Sequence, residues 1–219
     1  MMRNQRPRDD QGFTLAELMM AMGIFVILMA IVSIVMLTGF SAIRGALNQS
    51  TDLSDAQNSA EWISRELRYM AVPEGLTTSV TEATPSGMTF YTYSGTGTKL
   101  DVPYKVRIYT VTAADGSKTV QSDVITPTKS DIGWTWPATG TTRILMRTKA
   151  GTPAPITFRM WTCDSLTGCL TVSRELTLPS TGMPTLNAGE IPQSVAFTVG
   201  NTSTPGQTVT QHLRLVNLT

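Results

Sequence analysis

Between Leu18 and Ile43 the chain carries no charged residue. Most of that run, LMMAMGIFVILMAIVSIVMLTGF, is apolar. A membrane span needs about 20 such residues. Backbone polar groups in lipid must find partners within their own segment, so the run is expected to be helical. The apolar region of a cleaved secretory signal is shorter, about 7–15 residues, and ends at a small-residue site that does not follow this run. The Arg-bearing flank argues against a buried core helix. Arg3, Arg6 and Arg8 precede the run closely. The positive-inside rule therefore keeps the N-terminus cytoplasmic and places the remainder outside, with Asp9 and Asp10 weighing little.

The helical pattern continues past the apolar run. Apolar or small residues recur at Ile43, Leu47, Ser50, Leu53, Ala56, Ala60, Ile63, Leu67 and Met70. Steps of three and four mark one stripe of an amphipathic helix. The opposite face carries Arg44, Asp52, Asp55, Glu61, Arg65, Glu66 and Arg68. No proline interrupts the chain from Phe13 to Val72, and Pro73-Glu74-Gly75 supplies a stop. The expectation is one helix of about 59 residues, roughly 90 Å long. Its first half is apolar all round, and its second half is striped and needs a domain to lie on.

After Gly75, Thr, Ser, Gly and Pro rise, and β-branched and aromatic residues alternate with polar ones. Strands are expected at 88–93, 104–112, 118–125, 142–148, 155–163, 169–178, 193–199 and 208–216, with loops at 126–141 and 179–191. Short strands without intervening helices favour an antiparallel sheet. The fold class is α+β: a long N-terminal helix packed on a C-terminal antiparallel head. The expected divisions are a leader at 1–12, a membrane-spanning or filament-core helix at 13–43, its amphipathic continuation at 44–72 and an extracytoplasmic β-rich head at 73–219.

Cys163 and Cys169 flank a short turn between two strand-like runs in the segment placed outside. An even pair in an oxidising compartment reads as a disulfide stapling a hairpin, the alternative being two free buried thiols. Net charge is +1 over 219 residues. The whole protein is therefore no polyanion binder on charge alone.

The segment Gly12-Phe13-Thr14-Leu15-Ala16-Glu17 is the most informative. Glu17 sits at the rim of the apolar run. An ionised carboxylate at the centre of a span costs about 2.5 kcal/mol or more, so it needs a partner or the wet interface. A cut after Gly12 would give Phe13 a free α-amine four residues before Glu17, on the same helix face.

GFTLAELMMAMGIFVILMA resembles the prepilin N-terminal motif of type IV pilins and type II secretion pseudopilins. The likeness combines a short charged leader, Gly before the cut, Phe after it, Thr and Leu next, a Glu and the apolar helix. It implies that a membrane aspartyl prepilin peptidase cuts between Gly12 and Phe13 and N-methylates Phe13. It also implies that Glu17 sets the register of an incoming subunit against a neighbour's N-terminus. The implied partners are other pilin or pseudopilin subunits, the peptidase, an inner-membrane assembly platform and, before assembly, the membrane. The implied location is a single-pass membrane protein with an extracytoplasmic head, then a cell-surface or periplasmic filament. A weaker likeness joins ITFRMWTCDSLTGCLTVSREL to larger minor pilins and J-type minor pseudopilins. With the large head and the proline-free span, it points to a minor subunit of the J-type or W-type kind.

No enzyme is expected. His212 is the sole histidine, and no Ser/His/Asp, Cys/His or metal cluster can be built around it. Asp115, Asp123 and Asp131 lack the compact spacing of a calcium loop. No cofactor is implied. Trp134 and Trp136 are core or edge packing, or a contact patch. Two other functions remain open: a DNA-uptake or adhesion subunit on the same scaffold, and an N-anchored exported protein of another kind. Residues 76–219 carry eleven Lys/Arg against eight Asp/Glu, a mild +3 that supports DNA binding weakly.

Overall fold

A computed structural model describes residues 14–93, 102–131, 133–151, 153–164, 174–187, 190–200 and 208–215. The chain divides into two units, Met1–Asn48 and Gln49–Thr219. One helix, α1 (Leu15–Arg68), contributes to both.

In the first unit every described residue is exposed, including Phe25, Ile27, Leu28, Met29 and Phe40. The few hydroxyls of the apolar run bond back to their own helix. Ser33 Oγ donates to Met29 O (2.8 Å), Thr38 Oγ1 to Ile34 O (2.9 Å) and Ser41 Oγ to Thr38 O (2.8 Å). Such back-bonding removes the main polar obstacle to a lipid or helix-packed environment.

In the second unit α1 buries Ala56, Ala60, Ile63 and Leu67 of the expected stripe, together with Ser59, Trp62, Ser64 and Glu66. Two expectations are corrected. Burial does not begin at Ile43: Ile43 is 57% and Leu47 62% exposed. Nor is Glu66 on the solvent face: it is 3% exposed, and its carboxylate accepts from Arg65 at 3.5 Å. The helix ends at Arg68, short of Pro73, because the chain is captured by the sheet. Met70 bridges Thr92, Ala71 N donates to Tyr91 O, and Tyr93 N donates to Tyr69 O. Thr92 Oγ1 donates to Glu66 O (3.1 Å), satisfying one of the last-turn carbonyls.

Two antiparallel sheets follow. The first has the order β1-β2-β3-β4-β7: β1 Val80–Thr84, β2 Gly87–Thr92, β3 Tyr104–Thr112, β4 Lys118–Ile125 and β7 Thr141–Thr148. The second runs β11-β10-β8-β9: β8 Ile156–Asp164, β9 Arg174–Leu176, β10 Glu190–Gly200 and β11 Thr208–Arg214. A short ribbon joins β5 (Thr128–Ser130) to β6 (Gly133–Thr135). Strands β3 and β4 match the sequence expectation residue for residue. β1 and the ribbon fall where none was expected. The ribbon lacks a buried face, so no apolar alternation announces it. β10 starts inside the expected 179–191 loop and tolerates Pro192 because its register with β8 shifts between Pro192 and Ser194.

One core joins α1 to both sheets: Ile63 and Leu67 from the helix, Met88, Phe90, Val106 and Ile108 from the first sheet, and Ile156, Met160, Val195 and Phe197 from the second. Phe158 and Phe197 pack with ring centroids 6.2 Å apart. Phe158 N donates to Pro85 O, tying the second sheet to the β1–β2 turn.

Candidate functional site

The N-terminal rim of α1 is the first candidate. Thr14 precedes the helix and Glu17 lies in its first turn. Thr14 N (3.0 Å) and Thr14 Oγ1 (2.9 Å) both donate to Glu17 Oε2, and Glu17 N donates to Thr14 Oγ1 (3.3 Å). This is a reciprocal capping box, which occupies backbone donors that the helix itself cannot satisfy. The spacing Thr14-x-x-Glu17 carries that signal in the sequence. Glu17 Oε1 accepts no bond among the described residues. Gly12 and Phe13 lie outside the described residues.

Behind this rim, α1 is long and apolar enough to cross a membrane. Its apolar side chains are unpartnered: Met19, Val26, Ile34, Val35 and Leu37 are each more than three-fifths exposed. Contiguous apolar surface of this extent needs lipid or other protein to cover it.

The remaining candidates separate. Cys163 is 2% exposed at the end of β8, while Cys169 lies outside the described residues; no described cysteine is free. His212 is exposed on β11, its ring 5.9 Å from Trp161. Asp115 accepts from Ser117 N (2.9 Å) and Oγ (2.6 Å) in a turn, and these bonds lower its pKa. Asp123 accepts from Thr142 Oγ1 (2.7 Å) on the first sheet. Among the described residues no three His, Cys, Asp or Glu are grouped to hold a metal. Trp136 packs on Tyr91 (4.6 Å) and donates from Nε1 to Pro103 O (2.9 Å), so it anchors the segment after β6. Trp134 sits half-buried beneath the ammonium of Lys129 (5.4 Å).

Residues 7–38 match the family model for the prokaryotic N-terminal methylation motif, which is not an enzyme family. No curated protein and no solved structure matches the chain. The motif implies pilus-type subunit partners and processing by a prepilin peptidase in general terms. Together, the motif, the apolar helix behind it and the antiparallel β region support a type IV pilin-like or pseudopilin-like export subunit suited to membrane anchoring.

Proposed function

We propose that this chain is a minor structural subunit of a type IV pilus or related pseudopilus. It is made as a precursor, cut between Gly12 and Phe13 and N-methylated on Phe13. The leader is 1–12, the span or filament core 13–43, its continuation 44–72 and the extracytoplasmic head 73–219. The N-terminus is cytoplasmic before the cut, and assembly carries the head into a filament.

The capping box supports this reading, because it lies within the matched methylation motif. Its geometry splits the Glu17 carboxylate between two tasks. Oε2 is held by Thr14 of the same chain. Oε1 is left to accept from the α-amine of a neighbour's Phe13, a charge-assisted bond that strengthens as lipid or packed helices exclude water. Apolar helices then exchange lipid for one another's faces, an association driven by close van der Waals packing because lipid already shields them from water. Cleavage also removes Arg3, Arg6 and Arg8, the cytoplasmic anchors of the span. In the head, Cys163 and Cys169 form a disulfide that closes the turn between β8 and β9.

Mass spectrometry of the mature chain tests this reading. The expected N-terminus is Phe13, one methyl group heavier than the bare residue. A chain that starts elsewhere refutes the cut, and an uncleavable Gly12 variant that still enters filaments refutes the role assigned to it.

A further inference from the structure

Between the last turns of α1 and strand β7 lies a cleft of about 880 Å3 with a distinct charge pattern. Three guanidiniums line it: Arg65 and Arg68 from the helix, and Arg143 from the strand. One carboxylate, Glu61, shares the wall. Cations in a last helical turn are ordinary partners of the helix dipole. Arg143 is different, because it comes from another element and turns a helix end into a concave cationic site. Its guanidinium lies 6.0 Å over the ring of Trp62, which is only 6% exposed. Trp62 also lines the cleft, with Arg143 placed over its ring. Arg65 is held weakly, 3.5 Å from Glu66.

One further observation points to an occupant. Strand β7 ends its sheet, paired on one side by β4, and Thr141–Ile144 are exposed. A free strand edge is a template for an extended segment.

We propose that this cleft takes an extended acidic segment of a neighbouring subunit, its carboxylates paired with Arg65, Arg68 and Arg143. Guanidinium forks match carboxylates in bidentate geometry. A nucleic acid is disfavoured by the size of the cluster, since three guanidiniums would meet only a few phosphates of a continuous backbone. The head as a whole carries only a small positive excess. A few carboxylates need only the local cluster. The filament reading supplies the source of the segment but not the binding chemistry, so the two fail separately.

The test uses the full chain in detergent and a fluorescein-labelled octapeptide of alternating Gly and Glu. Binding is expected at low salt and weakens as salt rises. Arg68→Ala with Arg143→Ala weakens it by about tenfold or more, Arg68→Lys with Arg143→Lys less, and Glu61→Gln tightens it. Lys105→Ala with Arg107→Ala, on the first sheet away from the cleft, leaves it unchanged. Absence of binding at low salt overturns the proposal. So does equal weakening by the Lys105 and Arg107 pair. Displacement of the peptide by a short oligonucleotide at lower concentration than by unlabelled peptide overturns it in favour of nucleic acid.

Discussion

The hydroxyl of Ser59 on α1 lies 2.8 Å from the carbonyl oxygen of Leu145 on β7, and a break in strand register makes that contact available. Val120 faces Met146 while Gln121 faces Ile144, so Leu145 is the extra residue of a β-bulge. The same hydroxyl lies 2.6 Å from Asp55 O, so its one proton is shared between the helix and the strand. Ser59 is 2% exposed.

Ser59→Ala should therefore leave a buried carbonyl short of its donor. The expected loss is about 1–3 kcal/mol, read from denaturant unfolding of the full chain by tryptophan fluorescence. Gln57→Ala, at an exposed position one residue from Asn58, serves as the control. Equal midpoints for the two variants would remove Ser59 from the list of contacts that matter.

Gly87 opens β2 after the two-residue Pro85-Ser86 turn. A Cβ there would stand 2.8 Å from the backbone oxygen of Ile108 on β3. Backbone cannot swing aside as a side chain does, so Gly87→Ala should cost about 1–3 kcal/mol through overpacking. Gly23→Ala, where a Cβ meets nothing within 4 Å, should not destabilise the chain in the same unfolding assay. An unchanged midpoint for Gly87→Ala would show that β2 and β3 part more easily than the packing indicates.

Arg174 on β9 grips Glu190 at the start of β10 through two bonds, Nε to Oε1 (3.1 Å) and a terminal guanidinium nitrogen to Oε2 (2.7 Å). Asn187 adds its backbone N–H (2.8 Å) and side-chain amide (3.1 Å). Arg174 first, then the Asn187 N–H, lowers the Glu190 pKa to about 2. A depressed carboxylate pKa stabilises the fold above the unfolded-state value. That contribution is lost as pH falls through the folded-state value. The pair should thus hold at neutral pH and fail between the ordinary glutamate range and pH of about 2. Carbon-detected titration of Glu190 checks the midpoint, and Glu190→Gln should flatten the acid dependence of stability in that window. A Glu190 midpoint in the usual glutamate range would contradict the geometry.

The Thr14–Glu17 box should fix the first turn of α1. Thr14→Val removes the hydroxyl at an exposed position, at a cost of about 1 kcal/mol of local helix stability. Hydrogen exchange of the amides just after Thr14 should accelerate, and Thr14→Ser should restore protection. Equal exchange in all three chains would mean that the first turn is held by something else.

The proposed bridge predicts that the non-reduced mature chain is two hydrogens lighter than the reduced one, and that Cys163→Ser abolishes the difference. The closed loop is short, so reduction should cost stability at the low end of the usual ~2–4 kcal/mol. Free thiols in both states would dismiss it.

Composition and periodicity made the helix and its exposed apolar half legible, because an uncharged run admits few environments. Alternation with well-placed turns did the same for β3 and β4. The ribbon of β5 and β6 was not legible, since strands that bury neither face leave no alternation. The early end of α1 was not legible either: Met70 could have continued the helix, but pairing with Thr92 on β2 captures it.

Glu66 shows the same division most clearly. By helical position it belonged with the charged face, yet the end of the helix meets β2 there, with Thr92 on the Glu66 carbonyl, and the residue is buried. The methylation motif, the apolar helix and the α+β class could be read from patterns among residues close together along the chain, and the Thr14-x-x-Glu17 spacing was there to be read as well. Where burial on the helix begins, that Glu66 goes inside, and that Arg143 joins Arg65 and Arg68 required the folded chain. Those outcomes depend on strand order and on a bulge at Leu145, and such long-range pairings leave no local pattern.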